Sequence, residues 1–154
     1  MKLEAADFAA LDDAQRSAFL EALVGMVTAD GTVSAEESHR FDQVVRFYPW
    51  DVEREVMVAM IQGISDRIKA IKTPAQAHDF VAGIAARLPT PELRDKVFFT
   101  IAALAFADGS VNKAEVVTLE LFQVAFGITS ERLARIKAAL TGQPMPSVAE
   151  PLGN

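Results

Sequence analysis

Two short acidic stretches contain the residues whose types and spacing could do chemistry. The first reads Ala-Asp-Gly-Thr-Val-Ser-Ala-Glu-Glu over residues 29–37, and the second reads Ala-Asp-Gly-Ser-Val-Asn-Lys-Ala-Glu over residues 107–115. In both, an aspartate precedes a glycine and a glutamate closes the motif. Carboxylate oxygens are the ligands that hard divalent cations prefer. The candidate metal ligands are therefore four carboxylates: Asp30, Glu37, Asp108 and Glu115.

Both stretches match the second half of an EF-hand calcium loop, with an acid, a glycine, a β-branched residue and a final glutamate in register. The first half is missing, because loop position 1 would fall on Met26 in one stretch and on Leu104 in the other. A cation that takes about six to eight oxygens would need both stretches, water or a partner's acids. Further candidate ligands are Thr32, Ser110 and Glu36. We expect Ca²⁺, with Mg²⁺ and Mn²⁺ as alternatives.

The same residues also suit a purely structural role. Ser34 and Asn112 are preferred helix-starting residues, and each precedes its glutamate by three positions, which is the spacing of a capping box. The two aspartates could fold back onto amides of their own loops, as turn-forming acids do. The sequence leaves both interpretations open, a cation site and a set of helix caps.

Helices on either side must position the acidic stretches. The glycine after each aspartate suits the left-handed conformation that ends a helix, and apolar residues recur at three-and-four spacing before and after each stretch. The two copies align without a gap, which predicts two related helical hairpin units at about residues 12–64 and 90–140. No stretch alternates with a period of two over the length of a strand.

Other helix signals lie between and around these hairpins. Threonine followed by proline at 73–74 and again at 90–91 predicts two helix starts, because proline suits the first helical position. Asp51 predicts another start. The segment 91–108 is apolar on nearly every side, which is typical of a central helix. We therefore predict an all-α, single-domain bundle of about seven helices over residues 1–141, followed by a disordered proline-rich tail at 142–154.

Composition excludes several classes of function. The 154 residues include no cysteine, which removes disulfides, thiolate zinc sites and cysteine nucleophiles, and the two histidines are too few for a histidine-built metal site. A net charge of −6 disfavours nucleic acid and anionic membranes and favours cations or basic partners. The apolar runs are far shorter than the roughly 20 residues of a membrane helix, so we expect no membrane insertion. Acids near the N-terminus argue against a signal peptide and favour the cytoplasm.

No catalytic signature stands out. The sequence has no serine–histidine–acid set, no phosphate-binding glycine loop and no dinucleotide fingerprint. We therefore predict a non-enzymatic binding domain. The alternative from another class is a metal-assisted hydrolase that uses the carboxylates, with His39 as the candidate base.

The doubled Ala-Asp-Gly-x-Val-x-x-x-Glu motif on two helical hairpins resembles the tellurite-resistance TerB-like family, over about residues 12–140. That resemblance implies a helical bundle with acidic corners that bind divalent cations. It also implies a role in stress response, or as a protein-interaction module near membrane-associated partners. Carried over by motif, the metal-binding positions would be the same four carboxylates. We expect a protein partner and favour a monomer.

Overall fold

The computed structural model describes residues 1–106 and 111–141, and every regular element in that part of the chain is an α-helix. The helices are α1 (Ala5–Ala9), α2 (Asp13–Val27), α3 (Ala35–Phe47), α4 (Arg54–Lys69), α5 (Pro74–Ala86), α6 (Pro91–Ala105), α7 (Lys113–Phe126) and α8 (Ser130–Thr141). The all-α prediction is confirmed. The described residues form eight helices where the sequence predicted about seven, because the short leading segment α1 is also helical.

Most of the helix starts that the sequence marked are confirmed. At four of them, and at Asp12 before α2, a side-chain oxygen accepts a hydrogen bond from the backbone N–H three residues later, which satisfies a donor that would otherwise lack a partner. These N-caps are Asp12, Ser34, Thr73, Thr90 and Asn112. Gly127 ends α7 in the left-handed conformation, with φ of 68°. Local sequence therefore sets most of the helix boundaries.

The start of α4 differs from the prediction. The sequence placed it at Asp51, whereas the helix begins at Arg54 with Glu53 as its N-cap. Asp51 has φ of 58°, a left-handed conformation that aspartate tolerates but a helix does not. The preceding turn fixes this geometry, because the Trp50 indole N–H donates to the carbonyl of Val45 at 2.7 Å.

The most buried helix is α2. Ten of its fifteen residues are buried, and it packs against α3, α4, α5, α6 and α7. The sequence pointed instead to the segment 91–108, but α6 buries six residues, and Phe106 at its end is 37% exposed. One side of α6 faces an open groove. Although α6 is apolar on nearly every side, it is therefore not packed against other helices on every side.

The N-terminal segment is bound into the core ahead of α1. Leu3 is fully buried, and its N–H donates to Thr100 Oγ1 of α6 at 3.1 Å. The hydroxyl of Tyr48, just after α3, donates to the carbonyl of Leu3 at 2.7 Å. Burial raises the pKa of Tyr48 to about 12. This segment therefore connects α3 with α6 through its own backbone.

Candidate functional site

The first corner, residues 28–37, joins α2 to α3. Gly31 adopts the left-handed conformation there, with φ of 81°. The Asp30 carboxylate folds back on this turn, and its Oδ1 accepts from the N–H of Thr32 at 3.1 Å and lies 3.4 Å from the Thr32 hydroxyl. The turn-forming role expected as an alternative for Asp30 is therefore present.

Glu37 closes a capping box at the start of α3. Its Oε1 accepts from the N–H of Ser34 at 2.9 Å, while the N–H of Glu37 donates to Ser34 Oγ at 3.0 Å. The Glu37 side chain is partly exposed to solvent. The neighbouring carboxylate of Glu36 lies 3.7 Å from a guanidinium nitrogen of Arg40. The first corner thus has one acid in the turn, one at the cap and one in a surface ion pair.

The second corner, residues 106–115, contains the same capping box. Glu115 Oε1 accepts from the N–H of Asn112 at 3.0 Å, and the N–H of Glu115 donates to Asn112 Oδ1 at 2.8 Å. Glu115 is only 8% exposed, unlike its counterpart on α3. The candidate ligands Asp108 and Ser110 lie outside the described residues.

A hydrogen bond between described residues joins the two corners. Asn112 Nδ2 donates to Asp30 Oδ2 at 3.1 Å, between residues that are 82 positions apart in the chain. The Asn112 amide thus caps its own helix through the oxygen and holds the first corner through the nitrogen. Asp30 follows the C-terminal end of α2, where the helix dipole disfavours an acid, but this bond brings its carboxylate to the N-terminal end of α7, where the dipole favours one.

The described residues alone do not form a metal cluster. Across residues 1–106 and 111–141, no group of three or more histidine, cysteine, aspartate or glutamate side chains is placed to hold a metal ion. Asp30 and the second corner are in contact, but Glu37 and Glu115 do not join Asp30 in a three-ligand set. The four-carboxylate site depends on Asp108 and stays a prediction.

Sequence reasoning missed a buried acid on α2. Glu21 is 3% exposed, and its carboxylate accepts hydrogen bonds from Arg87 Nη1 and Nη2, both at 2.7 Å, and from the Ser17 hydroxyl at 3.2 Å. Arg67 of α4 lies 3.6 Å away. Burial pushes the pKa of Glu21 up, but the bonds and charges of Arg87, then Arg67 and Ser17, outweigh it and the pKa is lowered. The signal in the sequence was the position of this residue, because Glu21 is a charged residue within the otherwise apolar run of α2.

Comparison with known proteins shows the family. The model of the family described as tellurite resistance protein TerB matches residues 16–138, and the chain belongs to that family. Searches of curated proteins and of solved structures each gave no match. The matched range includes both corners, so the chain is a helical domain of the tellurite-resistance type. Among the described residues, no helix is long and apolar enough to cross a membrane.

Proposed function

We propose that this chain is a non-enzymatic helical domain that binds a divalent cation, Ca²⁺ in the first instance, at its two joined corners. The observation that carries the proposal is the hydrogen bond between Asn112 Nδ2 and Asp30 Oδ2. It brings the first acidic corner into contact with the second, although 82 positions separate Asp30 from Asn112. A cation that needs more oxygens than one corner offers could then take ligands from both.

The chemistry of the donors fits a hard cation. The ligands we propose are the carboxylates of Asp30, Glu37, Asp108 and Glu115. A carboxylate oxygen has two lone pairs, so Asp30 Oδ2 can accept from Asn112 and still coordinate an ion. The capping bonds of the two glutamates use Oε1 of each carboxylate. The net charge of −6 also favours a cation.

We further infer that the cation-bound domain acts in a tellurite-type stress response in the cytoplasm, as a monomer that docks on a protein partner, including one at a membrane. Family membership supports the first part. Exposed apolar residues on α7 support the second, because Val117 and Val124 are seven positions apart on one helix face and are 48% and 73% exposed.

The first test is thermal unfolding of the whole chain in chelator and in millimolar Ca²⁺, Mg²⁺ or Mn²⁺. A cation at 100 times its dissociation constant should add about 2.7 kcal/mol to the free energy of unfolding. The melting temperature should therefore rise with the preferred ion. Identical melting curves under all of these conditions would contradict the cation site.

The second test separates binding from capping, since the capping boxes and the Asp30 turn favour a purely structural role. Glu37→Gln with Glu115→Gln keeps the capping boxes, because glutamine serves there too, but removes two ligand charges. A cation site predicts a much smaller metal-induced rise in melting temperature. If the glutamates only cap helices, the double variant should have nearly the stability of the wild-type chain, both with and without metal. Asp30→Asn with Asp108→Asn should act like the glutamine pair.

A matched control is Asp12→Asn, which removes a charge from a capping acid away from both corners. The metal-induced rise in melting temperature should persist in this variant. A rise that survives both corner double variants undiminished would mean that the ion binds elsewhere. Metal-dependent hydrolysis of ester or phosphoester substrates by the wild-type chain, lost in the corner variants, would contradict the non-enzymatic assignment.

A further inference from the structure

A groove unrelated to the corner carboxylates lies between α3, α6 and the N-terminal segment. Its volume is about 390 Å³, which falls within the range of roughly 300 to 1,000 Å³ that small-molecule sites occupy. Most of its lining is apolar, with Val44 and Phe47 on α3 and Phe99, Ala103 and Leu104 on α6. Phe47 is 46% exposed.

Two cationic side chains line the same groove. Lys2 Nζ lies 4.3 Å from the centre of the Phe47 ring, and Arg40 extends from α3. Among the residues that the structure describes, Lys2 has no carboxylate within ion-pair distance. The hydroxyls of Tyr48 and Thr100, also in the lining, already donate to backbone carbonyls. The cations are therefore the groups in this groove that are best able to attract a charged ligand.

The local charge balance sets the kind of anion. Glu36 lies 3.7 Å from Arg40 and offsets one positive charge, which leaves the groove with about one net positive charge in a protein whose net charge is −6. One net positive charge beside an apolar lining is complementary to a ligand that has one negative charge and an apolar chain. A protein partner would need about 800 Å² of contact on each side, which a groove of this size does not supply.

We propose that this groove binds an aliphatic carboxylate of medium chain length. The alkyl chain packs on Val44, Phe99 and Ala103, and the carboxylate lies at Lys2 and Arg40. Burial of the chain supplies most of the affinity, since apolar burial scales with chain length. The two cations supply the preference for an acid over an alcohol or an amine. None of the proposed metal ligands that the structure describes lines this groove, so carboxylate binding here does not depend on the cation site.

Three eight-carbon probes that differ in the head group test the proposal: octanoate, octanol and octylammonium. Each is titrated into the ¹⁵N-labelled full chain below its micelle concentration, and amide chemical shifts are followed by NMR. Octanoate should shift residues of α3 and α6 that line the groove and bind at least fivefold more tightly than octanol, and octylammonium should bind most weakly. Equal affinity for all three probes, or shifts elsewhere, would overturn the proposal.

Variants then test two contributions to affinity separately: the contact of the carboxylate with the cations, and the contact of the alkyl chain with the apolar floor of the groove, which is formed by Val44, Phe99 and Ala103. Lys2→Gln with Arg40→Gln should weaken octanoate about fivefold, from a loss of about 1 kcal/mol, and leave octanol unchanged. Arg46→Gln with Lys69→Gln is the matched control, because it removes the same charge outside the groove, and octanoate affinity should stay at the wild-type value.

Ala103→Leu should fill the floor and weaken both octanoate and octanol. If this variant does not fold, Phe47→Ala at the half-exposed edge should weaken both ligands in the same way. Octanoate affinity that survives the Lys2 and Arg40 double variant, or that survives the change to the floor, would refute the proposed pose.

Discussion

The two helical hairpins share a corner motif but bury different arms. In the first hairpin, α2 has ten buried residues and α3 has one, Val45. In the second, burial is shared more evenly, with six residues on α6 and four on α7. The same capping box thus occurs on one hairpin with unequal burial of its arms and on one with more even burial. A short motif sets the helix start, while the apolar pattern of the flanking helices sets how deeply each arm is buried.

The glutamates of the two corners show the same difference at one residue. Glu37 and Glu115 make matching pairs of capping bonds, all between 2.8 and 3.0 Å. Glu37 is partly exposed, whereas Glu115 is buried and only 8% exposed. Solvent can replace the bond that Glu37 makes, but it has little access to Glu115. Equal hydrogen bonds should therefore differ in what they contribute to stability.

The largest effect should come from the most buried arm. Arg87→Met leaves the buried Glu21 carboxylate without its bidentate partner and should cost about 3 to 5 kcal/mol. Arg67→Met is the matched control, because this arginine is 58% exposed and lies 3.6 Å from Glu21, and it should cost less than about 1 kcal/mol. Urea unfolding measures both.

A double variant tests whether the unpaired Glu21 carboxylate causes the loss of stability in Arg87→Met. Glu21→Leu with Arg87→Met removes both charges and should recover most of the stability lost in Arg87→Met alone, because an apolar pair of similar volume can replace a buried ion pair. If the double variant is as unstable as Arg87→Met, lost packing rather than the unpaired carboxylate explains the cost.

A smaller effect should appear on acidification. The folded pKa of Glu21 lies below its ordinary value of 4.5, so this group stabilises the fold above about pH 4.5. That contribution is lost as the pH falls through the folded pKa. The wild-type chain should thus lose more stability between pH 6 and pH 3 than the Glu21→Leu, Arg87→Met double variant does. The free energies of unfolding of the two proteins are measured in urea over this pH range. If both change by the same amount, this linkage is contradicted.

The smallest expected effect compares the corner glutamates directly. Glu115→Ala leaves a partly buried N–H of Asn112 without its acceptor and should cost about 1 to 3 kcal/mol in chelator. Glu37→Ala exposes the equivalent N–H to water and should cost less than about 1 kcal/mol. Glutamine at either position should keep most of the stability. Equal losses for the two alanine variants would show that burial does not distinguish the corners.

Short-range features were predictable from the sequence. Caps such as Ser34 and Asn112, and the glycine that ends α7, act within three or four residues, so their chemistry is visible in the local sequence. The start of α4 was misplaced because a contact between Trp50 and Val45 fixes the turn before it. The duplication of the hairpin stays a prediction.

Long-range features were not predictable. The bond between Asp30 and Asn112 depends on how two hairpins pack, and nothing within either stretch specifies it. Glu21 could be recognised as an unusual charge in an apolar run, but its partner, Arg87, is 66 residues away, just after the end of α5. The groove with Lys2 and Arg40 forms only when the N-terminal segment lies beside α3 and α6. Pairings between distant segments determined each of these sites.

The buried position of Leu3 has a consequence during synthesis. Leu3 must wait for its partner Thr100, which is made 97 residues later, or about 5 to 20 s at common elongation rates. During that interval α2, the most buried arm of the folded protein, has neither α6 nor a docked N-terminal segment to cover it. The nascent chain should therefore expose the apolar surface of α2 until α6 has been made.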